Sequence, residues 1–307
     1  MQFSTSRLLA AVALAASSLA QADVTTNSLT PPYSALYVFG DSLSDGGNNR
    51  LALGTNGPAP TSATFIPTFP YAPSNTYSNG STWVTSFAAG LGLSPTNSAP
   101  SLAGGGNYAY GGATTTTTSP PAAFPPSLQL QVGGFLGGSP TGLSSSLFVL
   151  AGGGNDARAL ASIPGGPTPA AVVSAATTYA STTLQLVNQL KAAGAQNIIV
   201  WNVPDLGKTP AAGSGVGPGA AGATQIASTF NSFLSGTLAG SGASIFDTFG
   251  IIQSVVSSPA TYGFSDVTQA CGFAGNGCDP ATALFWDGIH PTAFAQTFIA
   301  GRMLAVA

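Results

Sequence analysis

Phe39-Gly40-Asp41-Ser42-Leu43-Ser44-Asp45-Gly46-Gly47-Asn48 follows the apolar run Ala35-Leu36-Tyr37-Val38 and opens into a loop rich in Gly and Asn. The run is short and scarcely alternates, which predicts a strand of about Ser34 to Phe39 buried on both faces. A serine at the carboxyl end of a buried first strand stands where open α/β sheets bind their ligands. Gly-Asp-Ser-Leu is nevertheless four common residues, and a turn of Asp, Ser and Gly after a strand would read the same way. The residues downstream have to decide.

Working outward, the same kind of apolar run recurs. Ser146 to Ala151, Asn197 to Val203 and Ala243 to Asp247 each read as a strand. Helical patterns lie between them. Trp83, Val84, Phe87, Ala88 and Leu91 recur at helical spacing, with Ser81 or Thr82 as N-cap and Gly92 as a stop. Ser127 to Leu136 reads as a short helix with its Gln residues outward. Thr168 to Ala193 reads as a long Ala-rich helix with Leu184, Leu186, Val187 and Leu190 on its apolar side. Further helices are expected over Gln225 to Leu238, over Phe249 to Val256, and after Thr292 as far as Leu304. Strands that alternate with helices predict an α/β protein whose parallel sheet is covered on both faces.

Three stretches between these elements read as loops. Asn48 to Tyr77 lacks any period, yet Phe65, Phe69 and Tyr71 are too many aromatics for a solvated linker. It is expected to pack over one face or to line a cleft. Thr114 to Thr118 reads as an exposed low-complexity loop without chemistry, and Gly213 to Gly222 as a flexible Gly/Ala loop.

Composition narrows the function classes. Charged residues make up 5% of the chain, with six Lys plus Arg and a net charge of −3. All nine acidic residues are Asp. So few cations argue against nucleic acid and against anionic membrane surfaces as partners. Arg7, the apolar Leu8 to Ala16 and the small residues of Ala20-Gln21-Ala22 form a signal-peptide pattern, with cleavage after Ala20 as the rival site. Residues 1–22 are therefore expected to be a signal peptide and 23–307 one domain, a monomer without a transmembrane segment. Cys271 and Cys278 are the only cysteines. In an oxidising compartment they are expected to form a disulfide, closing a short loop and contributing roughly 2–3 kcal/mol. Zinc would need two further ligands, and the chain holds a single histidine.

That histidine, His290, stands three residues after Asp287 in Trp286-Asp287-Gly288-Ile289-His290-Pro291-Thr292. A turn there would let the carboxylate hold Nδ1 and leave Nε2 free as a base, the orienter and base of a serine hydrolase. A glycosidase-type carboxylate pair is not singled out among the aspartates. Asp41 and Asp45 are expected to order the loop around Ser42 rather than to orient His290, Asp156 to hold the loop of Asn155, and Asp205 to cap a turn.

These stretches resemble the sequence blocks of the GDSL (SGNH) hydrolases. The first block is Phe39 to Asn48, the second is matched by Asn107 to Ala113, the third by Gly153-Gly154-Asn155-Asp156, and the last by Trp286 to Thr292. All four occur in order, from about Tyr33 to the C-terminus. The closest likeness is to secreted esterases that include the passenger domains of bacterial autotransporter esterases, carried by Pro32 to Phe39 and Asn202 to Pro210. This chain ends after the last block, so no translocator barrel is expected.

The resemblance implies a three-layer α/β/α sandwich of about five parallel strands in flavodoxin-like order. It also implies a nucleophile at Ser42, a base at His290 and an orienting carboxylate at Asp287. The oxyanion donors would be the Ser42 N–H, the Gly111 N–H (Gly112 if the register slips by one) and the Asn155 amide. No metal or cofactor is implied. The expected substrate is an ester, whether a small ester, an acylglycerol or an acetylated glycan, with short to medium acyl chains favoured. The alternatives are a lipase or phospholipase, and a secreted glycan- or surface-binding protein that keeps the fold without turnover.

Overall fold

The structure, a computed structural model, describes residues 32–117, 124–214 and 217–307. The expected signal peptide lies outside the described residues. Four parallel strands, β1 (Leu36–Gly40), β2 (Leu147–Ala151), β3 (Asn197–Trp201) and β4 (Ser244–Phe246), form one sheet in that order. Val38 faces Val149, and Val149 faces Ile199. Residues 106–110 run along the free edge of β1. The Val38 N–H donates to Gly106 O at 3.0 Å, the Tyr108 N–H to Val38 O at 2.7 Å and the Tyr110 N–H to Gly40 O at 3.1 Å. Numbered along the chain with this segment as the second strand, the order is 2-1-3-4-5, the flavodoxin-like arrangement. The switch point falls between β1 and β2, where the loops of Ser42 and Asn155 leave the sheet.

The period of two sends alternate residues into two cores. Phe39, Phe148, Leu150, Ile198 and Val200 face one side. There they meet α3 (Leu128–Gly137), α5 (Pro169–Ala192) and α6 (Gly219–Leu238), which bring Val132, Phe135, Leu186, Leu190, Phe230 and Leu234. Leu36, Val38, Leu147, Val149, Ile199 and Trp201 face the other side. They meet α2 (Trp83–Gly90) and α8 (Ala293–Leu304) through Trp83, Phe87, Ile299 and Met303. With both faces covered, the strands are nearly continuous apolar runs, broken only by the buried Asn197 and Ser244 at the starts of β3 and β4.

Several local expectations are corrected. Gln131 of α3 points inward and is buried. Its amide accepts from the Gly40 N–H at 2.8 Å and donates to Gly40 O at 2.9 Å. A carboxamide offers both an acceptor for the Gly40 N–H and a second donor for Gly40 O, beside that of Tyr110. The Thr run is not an exposed loop. Thr115 is buried, and its N–H and hydroxyl both donate to Asp156. Thr118 lies outside the described residues. The Gly/Ala stretch is helical from Gly219 onward, because α6 packs on α5 and on the turn at Leu206–Lys208. Gly207 permits that approach, since a side chain there would collide with Ala220 and Thr224.

Four elements have no counterpart in the sequence reading. They are α1 (Asn48–Leu53), α4 (Gly154–Ala161) and the parallel pair β5 (Asp266–Ala270) and β6 (Ala283–Phe285). The pair rests with α7 (Thr248–Ser257) on a third small core of Ile252, Val255, Phe264 and Leu284. β6 delivers the chain to Trp286. Cys271 and Cys278 lie beside it with Cα atoms 5.3 Å apart. Among the described residues no helix is long and apolar enough to cross a membrane.

Candidate active site

Ser42 sits in a tight turn directly beyond β1. The N–H groups of Ser44 and Asp45 both donate to Asp41 O, at 3.1 and 3.0 Å. The turn is drawn close to the end of β2: a Cβ at Gly40 would lie 2.5 Å from Ala151 O. Asp287 organises the opposite side. Its Oδ1 accepts from the N–H groups of Ile289 and His290, both at 2.8 Å, which makes the turn that points the imidazole back toward β1. Its Oδ2 accepts from His290 Nδ1 at 2.7 Å. His290 Nε2 then meets Ser42 Oγ at 2.8 Å. A carboxylate cannot donate, so Nδ1 carries the proton and Nε2 is the acceptor for the Ser42 hydroxyl. All three residues are buried except for the small face of Ser42 that meets the cleft.

A fourth side chain joins this series. The Tyr71 hydroxyl donates to Asp287 Oδ2 at 2.8 Å. Burial and the Asp287 charge push the Tyr71 phenol far above its ordinary range, so it remains a donor. The aromatic content of the long loop signalled packing near a cleft, but not this bond. Tyr71→Phe is expected to lower kcat about fivefold to tenfold, the effect of losing one donor to a charged group. Steady-state kinetics beside a thermal melt would check it; an unchanged kcat would mean that the remaining donors hold Asp287 alone.

The two flanking aspartates order the loop as expected. Asp41 Oδ1 accepts from the Leu43 N–H at 3.0 Å. Asp45 Oδ1 accepts from the N–H groups of Gly47 and Asn48, and Oδ2 from those of Asn49 and Gly111. Burial pushes the Asp41 carboxyl up to about 6, against the pull of the Leu43 N–H and the charge of Arg158. A carboxyl raised in the folded state binds its proton more tightly there than in the unfolded chain. Its stabilising effect is therefore complete below its ordinary value of 3.8 and is lost as pH rises to about 6. Asp41→Asn removes that dependence. Its unfolding free energy relative to the parent is expected to become more favourable between pH 4 and pH 7, by on the order of 3 kcal/mol, read from urea midpoints at each pH. A pH-independent difference would show that Asp41 does not titrate in this range.

Asn155 opens α4 directly after β2, and its Nδ2 donates one hydrogen to Ala113 O at 2.9 Å. Among the described residues Nδ2 has no second acceptor, and Asn155 lines the cleft with Ser42 and His290. Gly111 is corrected as an oxyanion donor. Its N–H is already donated to Asp45 Oδ2 at 2.9 Å, and a side chain there would run into the Tyr77 ring. The next residue, Gly112, has φ +83° and an N–H with no acceptor among the described residues. Asp156 ties this segment to α4 through Thr115, and Asp205 caps its turn by accepting from the Gly207 N–H at 3.0 Å.

The cleft encloses about 790 Å³, its open mouth included. Ser42, His290 and Asn155 line it together with Asp41, Arg158, Asp205 and Thr248, and Leu43, Trp201, Phe246, Ile251, Ile252 and Ile299 make most of the remaining surface apolar. Among the described residues no group of His, Cys, Asp and Glu is arranged to hold a metal ion.

Topology and site together define a doubly wound α/β protein with a Ser–His–Asp array at the carboxyl ends of its strands. The pattern of the GDSL-like lipase/acylhydrolase family matches residues 36–303, and the chain belongs to that family. Esterase EstA of Pseudomonas aeruginosa and Esterase EstA of Pseudomonas putida are each 30% identical to it over 94% of this chain and 49% of their own length. The chain thus spans about half the length of these relatives. Among solved structures, an acetyl xylan esterase aligns over 89% of this chain and 99% of its own, with 11% identity and a TM-score of 0.48.

Proposed function

We propose that this chain hydrolyses carboxylic esters through an acyl-enzyme on Ser42. The observation that carries the reading is the unbroken series Ser42 Oγ, His290 Nε2, His290 Nδ1 and Asp287 Oδ2, with links of 2.8 and 2.7 Å, at the wall of an apolar cleft. Ser42 Oγ attacks the acyl carbon as its proton passes to His290 Nε2. Asp287, holding Nδ1–H, stabilises the imidazolium and keeps the ring in place. The oxyanion takes hydrogen bonds from the Ser42 N–H, the Gly112 N–H and the second Nδ2 hydrogen of Asn155, Gly112 replacing Gly111. His290 returns the proton to the leaving alcohol. Water then attacks the acyl carbon with His290 again as base, releasing the acid and restoring Ser42.

The acyl group is of short to medium length, lying against Trp201, Phe246 and Ile299. Residues 1–22 act as a signal peptide, residues 23–307 form one hydrolase domain, and the exported chain carries a disulfide between Cys271 and Cys278. Initial rates on p-nitrophenyl esters from acetyl to palmitoyl test the reading. A maximum at short or medium chains is the expected result. A maximum at palmitoyl that rises above the critical micelle concentration would make the chain a lipase. A folded protein that neither turns over any ester nor is labelled at Ser42 by a fluorophosphonate would be a binding protein on the same fold.

A further inference from the structure

We propose that Arg158 is a positioning residue that locks the Asn155 carboxamide with its nitrogen toward the cleft, so that Asn155 can only donate to the oxyanion. The inference rests on the reading of Asn155 as an oxyanion donor. A carboxamide has two nearly isosteric orientations, and only one presents N–H to a developing negative charge. The other would turn a carbonyl oxygen toward it. Something must hold the productive orientation before substrate arrives, because preorganised donors are worth most in a water-poor site.

Asn155 and Arg158 are one turn apart on α4 and share a face. Arg158 Nη2 donates to Asn155 Oδ1 at 3.1 Å, while Asn155 Nδ2 donates to Ala113 O at 2.9 Å. A guanidinium has no acceptor and a peptide carbonyl has no donor. Flipping the amide would therefore set a donor against a donor and an acceptor against an acceptor. A cationic donor on Oδ1 also polarises the amide and strengthens its N–H groups as donors.

Arg158 is poorly explained as a packing residue. Its Nε is buried without a hydrogen-bond partner, a cost that an apolar side chain of similar length would avoid. The Asp41 charge beside it favours its charged form against the effect of burial. Asp41, Arg158 and Asn155 all line the cleft that holds Ser42, on either side of the switch point of the sheet. Arg158 also borders a second groove of about 880 Å³, lined by Thr64, Ser162 and Ser214 among others. Gripping an anionic part of the substrate there is the competing role.

Kinetics of Arg158→Met, Arg158→Lys, Asn155→Ala and the double variant Asn155→Ala/Arg158→Met separate these roles, using neutral p-nitrophenyl butyrate and an ester of similar size bearing a free carboxylate. Asn155→Ala is expected to lower kcat about 10²- to 10³-fold, the usual effect of deleting one oxyanion donor. Arg158→Met is expected to lower kcat on both esters about 10- to 30-fold with KM within about twofold, and Arg158→Lys to recover most of the loss. In the Asn155→Ala background Arg158→Met should add less than about twofold, since its target is gone.

An undiminished Arg158→Met effect in that background, or one confined to KM for the carboxylate ester, overturns the inference. If Asn155→Ala alone leaves kcat unchanged, the oxyanion reading of Asn155 has failed and the inference falls with it, a result distinct from failure of the coupling alone. Should Arg158→Met not fold, Arg158→Gln keeps the test. A Gln can present its own oxygen to the Asn155 amide, so it should lose activity while Arg158→Lys does not; equal activity of the two sinks the proposal.

Discussion

Ser42→Ala is expected to lower kcat on a short-chain p-nitrophenyl ester by about 10⁴- to 10⁶-fold while leaving the melting temperature nearly unchanged. The hydroxyl removed is small, lines the cleft, and among the described residues is bonded only to His290 Nε2. Its loss takes away the nucleophile but little packing. His290→Ala is expected to fall by a similar factor, because without an acceptor at Nε2 the Ser42 proton has nowhere to go. The double variant should be hardly worse than either single one, since the groups act as a unit. The residual rate would come from the oxyanion donors and from binding. Initial rates with active-site titration check this, and turnover within tenfold of the parent in either single variant would remove the proposed mechanism.

Asp45→Ala is expected to lower the free energy of unfolding by roughly 3–5 kcal/mol, a large share of the 5–15 kcal/mol typical of a folded domain. Asp45 is fully buried and its two oxygens accept from four backbone N–H groups, those of Gly47, Asn48, Asn49 and Gly111. Alanine would leave these donors dry and unpaired. The cost is reduced by removal of the carboxyl itself, which burial pushes up to about 6 against the pull of the same N–H groups. Activity should fall as well, because Asp45 joins the nucleophile turn to the segment of Gly111 and Gly112. Asp45→Asn keeps an oxygen for Gly47 and Asn48 but turns an amino group toward Gly111, so an intermediate loss is expected. Urea midpoints read both; a shift in Asp45→Ala worth less than about 1 kcal/mol would show that water or a rearranged turn satisfies the donors.

Much of the architecture was legible along the chain. The four strands are short apolar runs because each is buried on both faces, a local signal that needs no partner to be read. The long helix was bounded by its own N-cap, since Thr168 accepts from the Ala171 N–H. Asp287 and His290 are three residues apart, so the turn that joins them is a local property too. Other features were hidden because their cause is distant in sequence. Gln131 looked like a surface residue of a helix, and only the packing of α3 across the end of β1 gives its amide a peptide group to satisfy. The Gly/Ala stretch before residue 225 looked like a loop, and contact with α5 makes its second part helical. Tyr71 lies in an irregular segment, 216 residues from the carboxylate it bonds.

By itself the sequence determined the α/β class, the membership of the Ser42, Asn155, Asp287 and His290 blocks, and the pairing of His290 with Asp287. Each of these is written in nearest-neighbour chemistry: period, caps, and spacings of a few residues. Tertiary structure alone decided which glycine has its N–H to spare. Gly111 and Gly112 are adjacent and chemically identical, and their N–H groups differ because Asp45, brought up by a different loop, has already taken the first one. It likewise decided which amide atom of Asn155 meets which partner, because the Ala113 carbonyl accepts from its nitrogen and Arg158 donates to its oxygen. A hydrogen bond is directional and short-ranged, so its partner is settled only where the fold brings donor and acceptor to within about 3 Å.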